Sequence, residues 1–299
     1  MSDPDRPDRL LQTAAPFLFI FLWSSAYIAV RASLPDVSPL FFLTIRFGLA
    51  TAVLLFIVAT VRQSWTSLQG NWHHLVIAGV LINGLYLSGA YLALQNISAA
   101  TMALIAALHP IITASLAGPI LNENMRPLQW FGLTLGLAGV LLVVGEQAAQ
   151  VESLIGALVG FAGVVCLAFG TIHYRKHCRD VNLLIANTIQ LSSAGVLCAL
   201  LTWWFEDVRV VWSPTMLLSL FYLAIVVSLG AMALLMFMLR RGNAGKVASN
   251  FYLIPGVTAL IGWLVLGESL TATALAGFTI ASAGVWLAHR ERPAGNAKG

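Results

Sequence analysis

GPILNENM, residues 118–125, and WLVLGESL, residues 263–270, decide how this chain is read. Each ends an apolar run and carries a glutamate, and Glu268 follows Glu123 by 145 positions. The same offset pairs Pro110 with Pro255, Gly132 with Gly277 and Gly139 with Gly284. Without a gap it also pairs Ala103 with Ala248, Leu108 with Leu253, Thr134 with Thr279 and Val140 with Val285. Apolar helices often match at Leu, Ala or Val by chance. A proline, a glutamate and two glycines at one fixed offset point instead to an internal duplication.

The duplicated unit is a membrane unit. Of 299 residues, 59% are hydrophobic and 9% charged, against about 25% charged in a soluble domain. Ten apolar runs are long enough to cross a ~30 Å hydrocarbon core as helices: residues 14–30, 39–60, 74–94, 99–120, 128–145, 153–173, 183–205, 214–238, 246–266 and 272–289. They are continuously apolar, whereas barrel strands alternate apolar and polar. The expected fold is therefore an all-α membrane protein of ten transmembrane helices. Its units are a first five-helix repeat, 14–145, and a second, 153–289. The Pro-containing, charged ends, 1–13 and 290–299, read as disordered cytoplasmic tails. The first apolar run lacks a small-residue cleavage site and reads as a retained span.

Charge sets the orientation, because Lys and Arg concentrate in cytoplasmic loops. With the N-terminus inside, the inner segments hold 13 basic residues: Arg6, Arg9, Arg62, Arg126, Arg175, Lys176, Arg179, Arg240, Arg241, Lys246, Arg290, Arg292 and Lys298. The outer loops hold two, Arg31 and Arg209, and Arg46 falls inside the second span. Both termini are expected in the cytoplasm. Five crossings per unit is an odd number, so the second unit enters from the opposite side and the halves are inverted. Inverted repeats are typical of transporters, with substrate sites near the midplane between the halves.

A mid-span proline, a glutamate at the end of that span and two glycines in the next, written twice, resemble the EamA-type members of the drug/metabolite transporter superfamily. The resemblance covers residues 14–289. It implies a carrier of two inverted five-helix repeats, commonly an exporter of amino acids or other metabolites. The aromatic-rich spans are most similar to exporters of aromatic amino acids and methyl viologen. Two departures bear on local packing and substrate choice. Asn122-Glu123 stands where the second half has Gly267-Glu268, and Trp23-Ser24 where many relatives have Trp-Gly.

Several residues carry the expected transport chemistry. Pro110 and Pro255, each mid-span, free the carbonyls of Ala106 and Phe251 and are read as hinges. Asn83, Tyr86 and Ala90 share a helical face, as do Ser228, Met232 and Met236. With Trp23, Ser24, Tyr27, His109, Ser249, Asn250 and Tyr252 they outline a substrate pocket of rings, thioethers and neutral hydrogen-bonding groups. Arg46 is expected to snorkel to the outer interface, a substrate carboxylate being the alternative. Glu123 and Glu268 read as structural acids at the start of the next helix, Glu268 beside the cap Thr271. His173 is a further intramembrane ionisable group. Trp65, Trp72, Trp130, Trp203, Trp204 and Trp212 lie near span ends and suit the membrane interface. Gly132, Gly136, Gly139, Gly277 and Gly284 suit close packing of spans five and ten; packing between chains is the alternative to a monomer.

No Asp or Glu lies in the middle of a span. Small multidrug exporters of the superfamily that resembles this chain use such a carboxylate in their first helix. The expectation is therefore a carrier of aromatic or other neutral amino acids that works by alternating access and is uncoupled from ions, in a bacterial inner membrane. A proton-coupled drug/metabolite antiporter is the alternative. An intramembrane enzyme is disfavoured because HExxH, GxSxG and paired mid-span acids are absent. Cys166, Cys178 and Cys198 have no CxxC spacing, so neither a zinc site nor a redox pair is expected. No catalytic residue, metal or cofactor is assigned. The expected partners are a small-molecule substrate and the lipid bilayer, and not nucleic acid.

Overall fold

The computed structural model describes residues 6–68, 70, 72–97, 102, 105–123, 125–148, 153–266 and 272–289. They form α1 (Arg6–Ser33), α2 (Pro39–Thr60), α3 (Trp72–Ala93), α4 (His109–Leu121), α5 (Pro127–Ala148), α6 (Leu154–His177), α7 (Leu183–Phe205) and α8 (Pro214–Arg241). Then comes α9, in three pieces: Ala244–Ser249, a 3-10 turn Asn250–Leu253, and Ile254–Leu266. α10 (Ala272–His289) closes the chain. Among the described residues, six helices are long and apolar enough to span a membrane: α1, α2, α3, α6, α7 and α8.

Local chemistry sets the helix starts. Ser153, Asn182, Ser213 and Asn243 accept backbone N–H bonds from the first turns of α6, α7, α8 and α9. Pro39, Pro127 and Pro214 open α2, α5 and α8, where a missing N–H loses no intrahelical bond. α1 begins at Arg6, with Pro7 in its first turn. Residues 290–299, Gly267, Glu268 and Thr271 lie outside the described residues.

Three helix pairs join spans that the 145-residue offset relates: α5 with α10, α2 with α7, and α4 with the start of α9. The first pair is antiparallel and very close. A Cβ on Gly132 would lie 2.7 Å from the carbonyl oxygen of Gly284, and one on Gly139 would lie 2.6 Å from that of Gly277. Backbones at this separation admit only hydrogen at both contacts. The second pair is also antiparallel: Thr44 meets Thr202 hydroxyl to hydroxyl at 3.1 Å, and Glu206 accepts from the amides of Leu40 (3.0 Å) and Phe41 (2.7 Å).

The remaining contacts come in related sets: α3 on α6 and α8 on α1, α4 on α6 and α9 on α1, α3 on α7 and α8 on α2. α3 and α8 both widen into π-helix, over Val80–Leu85 and Tyr222–Ala231. Asn83 and Ser228, 145 positions apart, lie within these two segments. Apolar periodicity does not distinguish a π segment from an α-helix, so sequence reading anticipated plain helices here. Such segments are frequent at functional sites.

Both ends of the bundle are tied. At one, the α1–α2 and α7–α8 loops form a short antiparallel bridge, with the Val211 amide donating to the Asp36 carbonyl (2.7 Å) and the Ser38 amide to the Arg209 carbonyl (2.9 Å). At the other, Glu123 joins the α4–α5 loop to α6 and α9 through Arg175 and the Ala244 amide. Between them the outer surface is apolar. Phe17, Phe21, Phe56, Leu200, Leu218 and Leu264 are exposed, as a lipid-facing surface requires. Trp65, Trp72, Trp203, Trp204 and Trp212 are exposed at or near helix ends, as expected for rings at the interface.

Candidate functional site

Near the bridged end, α1, α2, α3 and α8 enclose a cavity of about 40 Å³ lined by Trp23, Arg46, Tyr86, Tyr91, Val227 and Met232 among others. It has room for a few water molecules and is too small for an amino acid. The floor is aromatic. Trp23 stacks on Tyr86 (ring centroids 6.4 Å apart) and meets Phe251 of α9 edge-on (5.4 Å), while Phe19 packs on both Trp23 and Phe251.

Arg46 corrects the sequence expectation. Its side chain does not snorkel outward; the residue is 3% exposed. Nε donates to the Ser228 hydroxyl and one terminal nitrogen to the Tyr91 hydroxyl, both at 3.0 Å. Ser228 sits in the π segment of α8, where Asn187 of α7 also donates to the Ser228 and Leu229 carbonyls, each at 3.4 Å. Among the described residues no carboxylate pairs with Arg46, and none of the buried residues is an Asp or Glu. A buried guanidinium held by two neutral hydroxyls and lying over the Phe47 ring (5.6 Å) retains donor capacity for an anion. The available signal was a lone Arg inside an apolar span, whose default reading is functional.

The other expected pocket residues divide. Trp23, Tyr86 and Met232 line the cavity. Ser24 does not; its hydroxyl donates to the Ile254 carbonyl at 3.2 Å, joining α1 to α9 just before Pro255. Met236 is buried with its sulfur accepting from Gln190 at 2.8 Å, and Asn250 points its amide at the Met238 sulfur (4.0 Å). Tyr252 lies in a separate cluster between α5 and α10, its ring so close to Gly136 that a Cβ there would come within 2.5 Å of it. The Tyr27 side chain lies outside the described residues.

Asn83 and His109 are buried and do not line the cavity. Among the described residues, both side-chain atoms of the Asn83 amide, both His109 ring nitrogens and the Tyr252 hydroxyl have no hydrogen-bond partner in this conformation. Each such atom costs about 1–3 kcal/mol of desolvation. His109 abuts Phe251 (4.7 Å), whose ring in turn meets Trp23 of the cavity lining. Phe251 thus stands between His109 and Trp23. Sequence reading singled it out only as a carbonyl.

The prolines also differ from expectation. Pro110 is not a kink within a continuous helix but lies in the first turn of α4, which starts at His109. Pro255 follows the 3-10 turn and lies in the first turn of the last α9 piece. The Phe251 carbonyl is therefore not free; it accepts the Ile254 amide in the tighter turn. Proline at the start of a helix needs no donor, so each span breaks where a kink was expected.

Two tied ends, a buried arginine without a carboxylate partner among the described residues and a layer of rings beside it, in a chain of lipid-facing helices, fit one class: a multi-pass membrane transporter. The EamA-like transporter family model matches residues 14–145 and again residues 154–290, so the chain belongs to the EamA-like transporter family. It is similar to YvbV of Bacillus subtilis (strain 168), an uncharacterized transporter, at 26% identity over 96% of this chain and 95% of that one. It is similar to YedA of Escherichia coli (strain K12), an uncharacterized inner membrane transporter, at 24% identity over 86% and 83%. A third relative is the S-adenosylmethionine/S-adenosylhomocysteine transporter of Chlamydia trachomatis serovar L2, 25% identical over 85% and 81%. A solved crystal structure shares the fold, with TM-score 0.79 at 22% identity over 93% of this chain and 96% of that one.

Proposed function

We propose that this protein exports amino acids, aromatic or otherwise neutral, across the inner membrane by alternating access between two inverted five-helix repeats. The observation that carries the substrate class is Arg46: a buried guanidinium without a carboxylate partner, beside Trp23, Tyr86 and Met232. The guanidinium suits a substrate carboxylate and the rings and thioether suit an apolar or aromatic side chain. S-adenosylmethionine, named for the chlamydial relative, also carries an α-amino-acid head group. The inverted arrangement is supported by the antiparallel packing of offset-related helices and the matched π segments. The cytoplasmic termini are supported by the loops around Arg126, Arg175 and Arg240, which the charge count places on one side and which meet at Glu123.

The cavity lies near the bridged, outer end, and the other end is tied by Glu123 to Arg175 and the Ala244 amide. In the opposite state Phe251 swings with the last piece of α9 about Pro255, α4 moves about Pro110, and the cavity deepens to take in His109 and Asn83. Transport is uncoupled from ions because no Asp or Glu lies in the middle of a span and none is buried among the described residues. The second reading, proton coupling, rests on His109, a buried imidazole with both nitrogens unpartnered.

The test is uptake of labelled Trp and Phe into proteoliposomes, with and without an imposed pH gradient. Uptake without the gradient, lost in Arg46→Ala, supports the proposal. Uptake only with the gradient, abolished by His109→Ala, replaces it with the proton-coupled reading. A substrate range lacking any carboxylate compound refutes the role of Arg46.

A further inference from the structure

Three histidines that the transport site leaves unused meet at the Glu123 end of the bundle. His74 stands in the first turn of α3, and His173 and His177 stand one turn apart at the end of α6. Offering one nitrogen each, their ligand atoms all lie within 4.8 Å of one another. His74 Nδ1 and His173 Nε2 are 3.2 Å apart, close to the roughly 3.3 Å between two nitrogens on one tetrahedral zinc. The rings converge: His74 stacks on His177 at 4.1 Å and lies 5.1 Å from His173, which is 4.8 Å from His177. All three are half-buried, so an ion has a route in from water.

We propose that His74, His173 and His177 form a binding site for one divalent first-row transition-metal ion, of which Zn²⁺ is the probe. Three imidazoles without a carboxylate select nitrogen-preferring metals over Mg²⁺ or Ca²⁺. The spacing on α6 is the i, i+4 pair that puts two ligands on one helical face, and α3 supplies the third from across the interface. The scaffold is firm, because α3 and α6 are packed tightly enough that a Cβ on Gly163 would come within 3.1 Å of the Tyr86 carbonyl oxygen. A bound ion pins the start of α3 to the turn of α6 that carries Arg175, the partner of Glu123. It thereby favours the state in which this end is closed. The site stands independently of the transported substrate.

The competing account is a hydrogen-bonded imidazole cluster that binds no metal. It explains the His74–His173 contact and leaves His177, stacked on His74, without a reason to be there. Sequence reading took His173 alone and missed the pair HH at 73–74 and the HxxxH at 173–177, because the two segments are a hundred residues apart.

The experiment uses the full chain, with any polyhistidine tag removed, in detergent free of metal. Equilibrium dialysis against micromolar Zn²⁺ is expected to give one ion per chain and a rise in melting temperature reversed by chelator. His173→Gln/His177→Gln is expected to lower the affinity more than about a hundredfold, while His289→Gln, on α10, leaves it unchanged. A wild-type protein that binds no Zn²⁺ in this range overturns the site whatever the variants do. Binding that survives in the double variant, checked for monodispersity, overturns it as well. If that variant fails to fold, the visible spectrum of the wild type with Co²⁺ decides: absorption characteristic of nitrogen-ligated, four-coordinate metal supports the site, and the spectrum of the hexaaqua ion refutes it.

Discussion

Glu123 and Arg175 meet at 3.0 Å across the interface between the α4–α5 loop and α6, both largely buried at 17% and 12% exposure. The other carboxylate oxygen of Glu123 accepts the Ala244 amide of α9 at 2.9 Å. Arg175 also donates to the Arg240 carbonyl (3.2 Å), and Arg240 donates to the Tyr174 hydroxyl (3.3 Å). One carboxylate thus ties α4, α6 and α9 at a single end. Sequence reading assigned Glu123 to the dipole of the following helix. In the structure it joins helices distant in sequence.

Breaking this tie should open that end. Glu123→Gln is expected to raise the rate at which a cysteine at Ile120, beside the pair, reacts with a thiol reagent. The charge swap Glu123→Arg/Arg175→Glu should recover part of the loss, with a coupling energy of about 0.5–3 kcal/mol in a double-mutant cycle. Equal reactivity in all variants would reduce the pair to a surface contact.

Arg46→Lys keeps the charge but loses the planar fork. Its KM for amino acids is expected to rise at least tenfold, with the melting temperature nearly unchanged. Arg46→Ala should abolish transport. Proteoliposome kinetics check both. A lysine variant indistinguishable from wild type would make Arg46 a structural bridge between Tyr91 and Ser228.

The α5–α10 contact leaves no room for a methyl group. A Cβ on Gly139 would come within 2.4 Å of the Ala281 amide nitrogen, and one on Gly284 within 2.4 Å of that of Gly136. Gly139→Ala and Gly284→Ala are each expected to destabilise the fold by about 1–3 kcal/mol, as overpacking does. The readout is thermal unfolding in detergent. Gly48, with open space around it, is the control position.

Cys178 follows the last turn of α6 and is fully buried. Burial pushes its thiol up to about 12, with Arg240 opposing. Since the thiolate is the reactive form, native Cys178 should resist thiol reagents from either side at pH 8. Failure to label it therefore says nothing about topology. A cysteine at Lys176 or Arg179, both exposed, does. In a chain otherwise free of cysteine, either should label in inverted vesicles and resist an impermeant reagent in intact cells. Labelling in intact cells would overturn the cytoplasmic placement.

Pro110→Ala and Pro255→Ala should fold and bind ligand but transport more slowly. Each variant permits the continuous helix that proline interrupts, which changes the balance between the two access states. Ligand-induced thermal shift and uptake rate, measured on the same preparations, separate the two effects. Unchanged uptake in both would assign the breaks to packing.

The duplication, the apolar spans and the transporter class were legible in the sequence because they rest on local quantities. Hydropathy over about 20 residues, a fixed 145-residue offset and the distribution of Lys and Arg need no knowledge of what touches what. The glycines of α5 and α10 were legible for the same reason: close packing leaves its mark as small residues at helical spacing. Of the candidate site, Trp23, Tyr86 and Met232 were correctly placed on inward faces. Helical periodicity says which side of a helix a residue occupies and not which neighbour it meets. That is why Tyr252 and Ser24 were grouped with a cavity they do not line.

Only the tertiary structure decided what depends on partners from distant segments. Arg46 has the same stem and charge whether it snorkels or turns inward, and Tyr91 and Ser228 decide between these by offering it acceptors. Glu123 finds Arg175 rather than the next helix. Phe251 comes to stand between Trp23 and His109, and three histidines from two helices converge. The sequence determined that this chain crosses a membrane as a duplicated helical transporter, since lipid constrains every span separately. The placement of its charges and rings against one another was left to packing, because such pair energies exist only once the helices have come together.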